Sequence, residues 1–195
     1  FDNILFHSPD AIEVGSLVSP EVMPQIKYSK ELFEYSKDKC KDTDIYMSVP
    51  SFARHFDKAA NLGVENVSLE LSVSDDYMKN NIYQDFNTAK KTILESVNKH
   101  NFKNTKVYLD HIGLCPHINE RLHIRDRFMK IKSLLECEEI TNVCLVDSQC
   151  VMCWSDWNRI FNLIYREELP ISKVSLKLGT DSKGKYLPDV RYTVM

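Results

Sequence analysis

The sequence predicts an α/β protein in which helices cover a parallel sheet. Six short runs rich in branched apolar residues recur along the chain, and amphipathic helical patterns separate them. Alternation of this kind is typical of parallel sheets, because the chain must cross over between neighbouring parallel strands. The predicted strand centres lie near Ile12, Ile45, Val67, Val107, Val143 and Val174. The alternation alone is compatible with both a barrel and a doubly wound sheet.

The composition predicts a single globular domain over residues 1–195. The chain is 43% hydrophobic and 27% charged, which suffices to bury one core. A net charge of −3 provides no basic surface for nucleic acid, and no apolar run reaches the roughly 18 residues that span a bilayer. No secretory signal is visible, and six cysteines in such a chain favour reduced thiols. We therefore expect an intracellular, soluble protein of the cytoplasm or an organelle matrix, without nucleic-acid or membrane partners.

In the first half of the chain, Ser19-Pro20 is a favourable place to leave a strand and open a helix. The pattern after Pro24 predicts an amphipathic helix that runs to about Cys40. Ser51 is predicted to cap the next helix, which should stop at Gly63.

The second half repeats the same alternation. Helices are expected around residues 86–97, 124–135 and 154–165, and strands at 105–112, 142–146 and 173–178. The tail after residue 178 is turn-rich and then β-like from Val190 to Val194. We expect this tail, or a second copy of the chain, to pair with an open edge of the sheet, since bare edges invite pairing.

The most informative stretch is Ala11–Gln25, which reads AIEVGSLVSPEVMPQ. It places an acid, Glu13, among branched residues in a predicted buried strand, where an unpaired carboxylate would be costly. The stretch closely resembles the second strand-to-helix segment of the 3-hydroxy-3-methylglutaryl-CoA (HMG-CoA) lyases, which reads roughly I-E-V-x-S-F-V-S-P-x-x-x-P-Q. In that family the glutamate and the following serine lie at the mouth of a (β/α)8 barrel. They correspond here to Glu13 and Ser16.

Four further segments resemble the same family in the correct order. IYMSVPS resembles its third strand, and GVENVSLELSVSDDYMKNNI resembles the segment with a Ser-Glu pair and a later Asn-Ile. VYLDHIGLCP resembles the fifth strand, which ends in L-G-C-P, and VCLVDSQ resembles the sixth, which reads I-S-L-x-D-T. The resemblance implies an incomplete TIM-type (β/α) barrel of about six parallel β/α units that match strands two to seven.

The resemblance also implies a site at the carboxyl ends of the strands, where such barrels carry their chemistry. Its candidate catalytic residues are Glu13, Asp147 and Lys177, and its candidate substrate-binding residues are Ser16, Ser74 and Asp110. Spacing alone instead favours the alternative that Glu13 and Asp147 each pair with a neighbouring lysine or backbone amide.

The departures from the family concern its metal. Three family features have no counterpart in the sequence. They are the Arg-Asp-Gly-Leu-Gln motif of the first strand, the late glycine-rich loop with the catalytic cysteine, and the asparagine of the eighth strand. Where the seventh strand should read V-H-x-H-D, this chain has Lys177 and Gly179 in place of the histidines. A lysine ammonium has no acceptor and cannot bind a cation. We therefore predict no cofactor and no catalytic divalent metal.

These observations predict an HMG-CoA lyase-like pseudoenzyme that acts by binding or assembly. Its expected ligand is an acyl-CoA or a small organic acid, and its expected partner is itself or another chain at an open sheet edge. One alternative is an active lyase that cleaves HMG-CoA to acetyl-CoA and acetoacetate, with Lys177 replacing the charge of the metal. Another is a structural subunit of a larger, for example viral, assembly.

Other reactive side chains favour structural roles. Cys150 and Cys153 form a C-x-x-C without a second pair, which favours idle thiols over zinc or redox use. His111 and His117 flank Cys115 in what reads as a turn. Trp154 and Trp157, at helical spacing, are expected in a core or an interface.

Overall fold

The computed structural model describes residues 1–178, which contain a six-stranded sheet with its strands in chain order. The pairs β1–β2, β2–β3 and β5–β6 are parallel. The predicted order of the strands is therefore confirmed. The strands are β1 (Ala11–Ser16), β2 (Asp44–Ser48), β3 (Asn66–Ser72), β4 (Asn104–Asp110), β5 (Asn142–Asp147) and β6 (Val174–Leu178).

A helix precedes every strand from β2 to β6, which supplies the crossover that parallel neighbours need. A π-helical turn, Met78–Ile82, continues α4. The helices are α1 (Asp2–Leu5), α2 (Ser29–Lys39), α3 (Ala53–Asn61), α4 (Asp75–Tyr77), α5 (Phe86–His100), α6 (Ile124–Leu135) and α7 (Trp154–Arg166).

Two predicted helix starts are wrong. No helix opens at Ser19-Pro20; only a 3-10 turn, Pro24–Ile26, precedes α2. Ser51 does not cap α3, because Phe52 occupies the N-cap position and the Ser51 hydroxyl is buried without a hydrogen-bond partner. The Phe52 N–H donates to the Pro50 carbonyl at 2.7 Å, and this turn shifts the start of the helix one residue beyond the serine.

Burial alternates along β4 with the period of two that a pleated strand imposes, whereas β3 is buried on both faces except at Glu70. One face of β3 buries Val67, Leu69 and Leu71 completely, and one face of β4 does the same with Val107 and Leu109. Burying each such side chain contributes roughly 1.5–3 kcal/mol. The opposite face carries polar side chains, and these provide the candidate site.

The chain divides into two compact units, each with its own buried residues. Unit 1 comprises residues 1–69 and 90–106, and unit 2 comprises residues 70–89 and those from 107 onward, so the division falls within β3 and within β4. Unit 1 buries Met47 and Phe56 completely. Unit 2 buries Ile131 and Trp157, whereas Trp154 is exposed. The single-domain assignment remains a prediction.

Two expectations concern the edges and the tail. The β-like segment Val190–Val194 lies outside the described residues, and pairing of a sheet edge with a second copy stays a prediction. Within residues 1–178, no helix has both the length and the apolar character needed to cross a bilayer.

Candidate functional site

Carboxylates at strand positions occur in both units. In unit 1 the carboxylate is that of Glu13 on β1, which lies in register with Tyr46 on β2. The hydroxyl of Ser68, a completely buried residue of β3, donates to Glu13 Oε2 at 2.5 Å. Glu13 is thus held by a hydroxyl from two strands away.

Ser16 ends β1 and joins it to the start of α2. Its backbone N–H donates to Ser29 Oγ at 3.0 Å, and its own hydroxyl accepts from the Val18 N–H at 3.3 Å. This approach requires Gly15, because a Cβ there would overlap the side chain of Ser29. The glycine therefore lets the first turn of α2 lie directly against the carboxyl end of β1.

Ser74, in unit 2, serves as the N-cap of α4. Its hydroxyl accepts from the Tyr77 N–H at 3.1 Å and donates to Cys115 Sγ at 2.9 Å. Both Ser74 and Cys115 are completely buried. The one donor of this hydroxyl is therefore used within the protein.

Asp147, also in unit 2, ends β5 with only 4% of its surface exposed. Its carboxylate accepts from the backbone N–H groups of Met152 at 2.8 Å and Val151 at 3.2 Å. The pairing with backbone amides that spacing favoured is present, and it braces the loop before α7. Its role as a site residue remains a proposal.

Asp110 ends β4, and its Oδ1 accepts from Ser148 Oγ at 2.7 Å. The same oxygen accepts from the backbone N–H of His111 at 2.5 Å. His111 adopts a left-handed conformation with φ of 61°, which is uncommon for a residue with a side chain. Backbone strain of this kind often accompanies functional sites.

Lys177 lies on β6, where the ammonium is 5.5 Å from the centre of the Tyr108 ring on β4. Its positive charge also acts on Glu70, on the polar face of β3. Asp110 acts on the same carboxylate with the opposite sign. Unit 2 therefore brings two predicted site residues, Lys177 and Asp110, into the electrostatic surroundings of Glu70.

Glu70, which sequence reasoning missed, is the centre of this group. Tyr77 OH donates to Glu70 Oε1 at 3.1 Å. Glu70 is exposed at its surface, but surrounding protein atoms partly remove water from its carboxyl and raise its pKa. The charge of Asp110 raises this pKa further, while the Tyr77 hydrogen bond and Lys177 oppose the change. A glutamate inside the strand pattern NVSLEL was the available signal, since the acid interrupts a buried run.

Tyr77 and His111 complete the group. The two rings lie 4.1 Å apart, and His111 Nδ1 is 3.0 Å from Ser72 Oγ. Burial lowers the pKa of His111, although the nearby charge of Asp110 opposes this. Burial and the neighbouring Glu70 raise the pKa of the Tyr77 phenol, which keeps it protonated as a donor. The Glu70 cluster (Glu70, Tyr77, Asp110, His111 and Lys177) thus contains hydrogen-bond donors, acceptors and a fixed positive charge.

The residues present do not fit the metal that the family resemblance implies. Within residues 1–178, no group of three or more histidine, cysteine, aspartate or glutamate side chains could hold a metal ion. Lys177 replaces one histidine with a side chain that has no acceptor. Gly179, which replaces the other, brings no side chain at all. That the protein binds no catalytic divalent metal remains a prediction, and a binding measurement tests it.

The C-x-x-C cysteines are not joined by a disulfide. Cys153 precedes α7 and donates from its thiol to Asp156 at 3.1 Å. Burial and the charge of Asp147 raise the pKa of the Cys150 thiol, which disfavours the reactive thiolate.

Comparison with known proteins finds similarity only at the level of structure. No family model matches the sequence. No curated protein matches it either. Solved structures do match, among them the HMG-CoA lyase of Pseudomonas aeruginosa, with a TM-score of 0.80 at 22% identity. That match covers 95% of this chain and 60% of the other.

Two further HMG-CoA lyases extend this result. The Brucella melitensis enzyme matches with a TM-score of 0.81 at 16% identity, over 95% of this chain and 64% of its own. The Acinetobacter baumannii enzyme, solved in complex with coenzyme A and 3-methylmalate, matches with a TM-score of 0.73 at 20% identity, over 86% and 53%. The chain thus spans less than two thirds of each. The predicted fold, an incomplete TIM-type barrel like that of the HMG-CoA lyases, is confirmed.

Proposed function

We propose that this protein binds a small organic acid, free or as its coenzyme A thioester, without cleaving it by the metal-dependent route. The proposed contact is the Glu70 cluster at the polar face of unit 2. Lys177 supplies the positive charge for a carboxylate or a polarised carbonyl, and Tyr77 and His111 supply hydrogen-bonding groups beside it.

The observation that carries this proposal is the position of Lys177. Lys177 occupies the strand position at which the family resemblance places a metal-binding histidine. Its ammonium lies 5.5 Å from the centre of the Tyr108 ring. An ammonium can hold anionic oxygens, whereas it cannot share a cation with neighbouring ligands. This exchange favours binding of an acid and disfavours the metal-held enolate on which the lyase reaction depends.

The coenzyme A and 3-methylmalate bound to the Acinetobacter baumannii enzyme suggest which ligands to test. We expect isothermal titration calorimetry to detect binding of 3-methylmalate, HMG-CoA or both to the purified chain. Lys177→Gln should weaken binding at least about tenfold, because one charge-assisted contact to a ligand is lost. Lys91→Gln is the matched control, since Lys91 has 76% side-chain exposure and forms an ion pair with Glu95 on the same helix. Equal affinity of both variants would refute the proposed contact.

The alternative of an active lyase is favoured by one observation, the raised pKa of Glu70 beside Tyr77 and His111. Cleavage of HMG-CoA breaks one carbon–carbon bond, transfers the hydroxyl proton to a base and delivers a proton to the acetyl-CoA carbon. Residues with shifted pKa values can carry out such proton transfers, which contribute about 10²–10⁴-fold. Acetoacetate formation by the metal-free protein, lost in Glu70→Gln, would establish this alternative and refute the binding proposal.

A further inference from the structure

The charges of the Glu70 cluster do not balance. Glu70 on β3 and Asp110 at the end of β4 are carboxylates, and Lys177 on β6 carries the one ammonium. Burial lowers the pKa of His111, which favours the neutral imidazole. A ligand that brought only a carboxylate to Lys177 would add a third negative charge to this part of unit 2, which Coulomb repulsion disfavours.

The ammonium and the carboxylates act on one another without forming an ion pair. The charges of Asp110 and Lys177 act on Glu70 with opposite sign. Among the ion pairs of residues 1–178, however, none involves Lys177, Glu70 or Asp110. The Lys177 ammonium lies over the Tyr108 ring instead, 5.5 Å from its centre. Because these opposite charges are held apart, each can bind a ligand group without first breaking a bond to the other.

Glu70 and Lys177 can both be reached from solvent, since both residues are exposed. Tyr77 OH donates to Glu70 Oε1 at 3.1 Å and so orients the carboxylate. The second oxygen, Oε2, has no hydrogen-bond partner among residues 1–178. An exposed carboxylate oxygen bonds to water in the free protein, and a ligand ammonium can replace that water with a charge-assisted hydrogen bond.

Asp110 contributes its charge to the cluster. Its Oδ1 already accepts from Ser148 Oγ at 2.7 Å and from the backbone N–H of His111 at 2.5 Å. Removal of water is the main cause of the raised pKa of Glu70, and the charge of Asp110 is a further cause, because like charges repel. A cation bound at Glu70 would reduce this repulsion, so the cluster favours a ligand that also carries a positive group.

The topology of the sheet indicates how far apart the charged groups of the ligand should be. Glu70 lies on β3 and Lys177 on β6, and the sheet order places β4 and β5 between them. Neighbouring strands lie about 4.7–4.9 Å apart, so the two anchoring charges come from well-separated strands. A ligand with its ammonium and carboxylate at opposite ends of a short chain therefore fits better than an α-amino acid, in which the two groups are adjacent.

We propose that the ligand of the Glu70 cluster is an ω-amino acid, whose carboxylate binds Lys177 and whose ammonium binds Glu70. Such a zwitterion brings one charge of each sign, so it satisfies both groups without adding net charge. This inference rests on the proposed function, because it specifies the organic acid that the same cluster binds.

The test is calorimetric titration of the full chain at neutral pH with pairs of acids of equal chain length. The pairs are 4-aminobutyrate with butyrate and 6-aminohexanoate with hexanoate, and glycine is the α-amino acid for comparison. We expect at least one ω-amino acid to bind at least about tenfold more tightly than both its partner acid and glycine, because only it engages both charges. An ω-amino acid that never exceeds its partner acid, or glycine as the tightest ligand, would overturn the inference.

Two variants identify the groups that bind each end of the ligand. Glu70→Gln should weaken binding of the ω-amino acid at least about tenfold and leave binding of the partner acid no weaker, because only the contact to the ammonium is lost. Unweakened binding of the partner acid would also show that this variant is folded. Lys177→Gln should weaken binding of both acids. Lys91→Gln and Glu95→Gln, an exposed ion pair on α5, are the matched controls and should change neither affinity.

The outcomes separate this inference from the proposed function. Equal loss of both acids in Glu70→Gln, or a preference for the ω-amino acid that survives in it, would refute the assignment of the ammonium to Glu70. If 3-methylmalate binds and no ω-amino acid binds more tightly than its partner acid, this inference fails and the proposed function stands. If no acid of either kind binds, both fail.

Discussion

Ser68 on β3 and Glu13 on β1 are joined by a hydrogen bond that passes over the intervening strand β2. The donor is completely buried, and the acceptor is the carboxylate that the family resemblance places at the mouth of the barrel. The two residues are 55 positions apart in the chain, so the contact ties together elements that local sequence does not connect.

Ser68→Ala should therefore destabilise the protein by roughly 0.5–1.5 kcal/mol, the net value of an ordinary hydrogen bond, because the carboxylate of Glu13 is exposed to water. Urea unfolding followed by circular dichroism measures the change. Glu13→Gln is the comparison, because its amide oxygen can still accept from Ser68 and the loss should be smaller. A Ser68→Ala midpoint within error of wild type would contradict this prediction.

Gly15→Ala should cost more stability than Ser29→Ala. The new Cβ would overlap the Ser29 side chain and approach its Cα to 3.0 Å, so α2 must move away from β1. Ser29→Ala removes only the hydrogen bond from the Ser16 N–H, at a cost of about 1 kcal/mol. Overpacking commonly costs about 1–3 kcal/mol. Unfolding midpoints that rank the two variants in the opposite order would show that the close approach is not needed.

Glu70→Gln should raise the stability of the protein at neutral pH and leave it unchanged in acid. The folded-state pKa of Glu70 is raised, so the folded protein disfavours its charged form, and stability is lost as the pH rises through that pKa. The glutamine removes this charge and can still accept from Tyr77 OH. The gain in melting temperature should be present at pH 7 and disappear below about pH 4, near the ordinary pKa of glutamate. A gain that is the same at every pH would point to packing and not to charge.

Asp147→Ala should destabilise the protein strongly and loosen the loop before α7. It leaves the N–H groups of Val151 and Met152 without their acceptor, and each such loss costs about 1–3 kcal/mol. Limited proteolysis should cut the variant in the segment that follows Asp147 faster than wild type. Asp147→Asn retains one acceptor oxygen and serves as the control; equal protease resistance of all three proteins would refute the bracing role.

Thermal melts with and without millimolar Mg²⁺ or Mn²⁺ should coincide. A ligand that binds only the native state raises its stability by RT ln(1 + [L]/Kd). Residues 1–178 contain no group of three or more histidine, cysteine, aspartate or glutamate side chains that could hold the metal. The same melts, repeated on variants, test whether Glu13 and Asp147, which the family resemblance assigns to the site, bind a metal. An upward shift that disappears in Glu13→Ala or Asp147→Ala would establish a metal site and overturn the binding-protein interpretation.

The sequence by itself determined the fold. Strand–helix alternation is a local property that period-two and period-3.6 patterns record. The choice of a barrel over a doubly wound sheet came from the resemblance of five motifs to those of the HMG-CoA lyases. The sequence also placed Lys177 on the last described strand, and its role in a site remains a prediction. The starts of α2 and α3 were missed, since a 3-10 turn and the Phe52–Pro50 turn override the local capping signals.

Only the tertiary structure decided which side chains meet. The partner of Glu13, the backbone amides that bind Asp147 and the cluster around Glu70 all depend on contacts between separate elements. No periodicity encodes such contacts, because they arise from how neighbouring strands set their register and how closely a helix can approach. Glycine at position 15 illustrates the reason: its effect on α2 depends entirely on Ser29, which becomes its neighbour only in the folded chain.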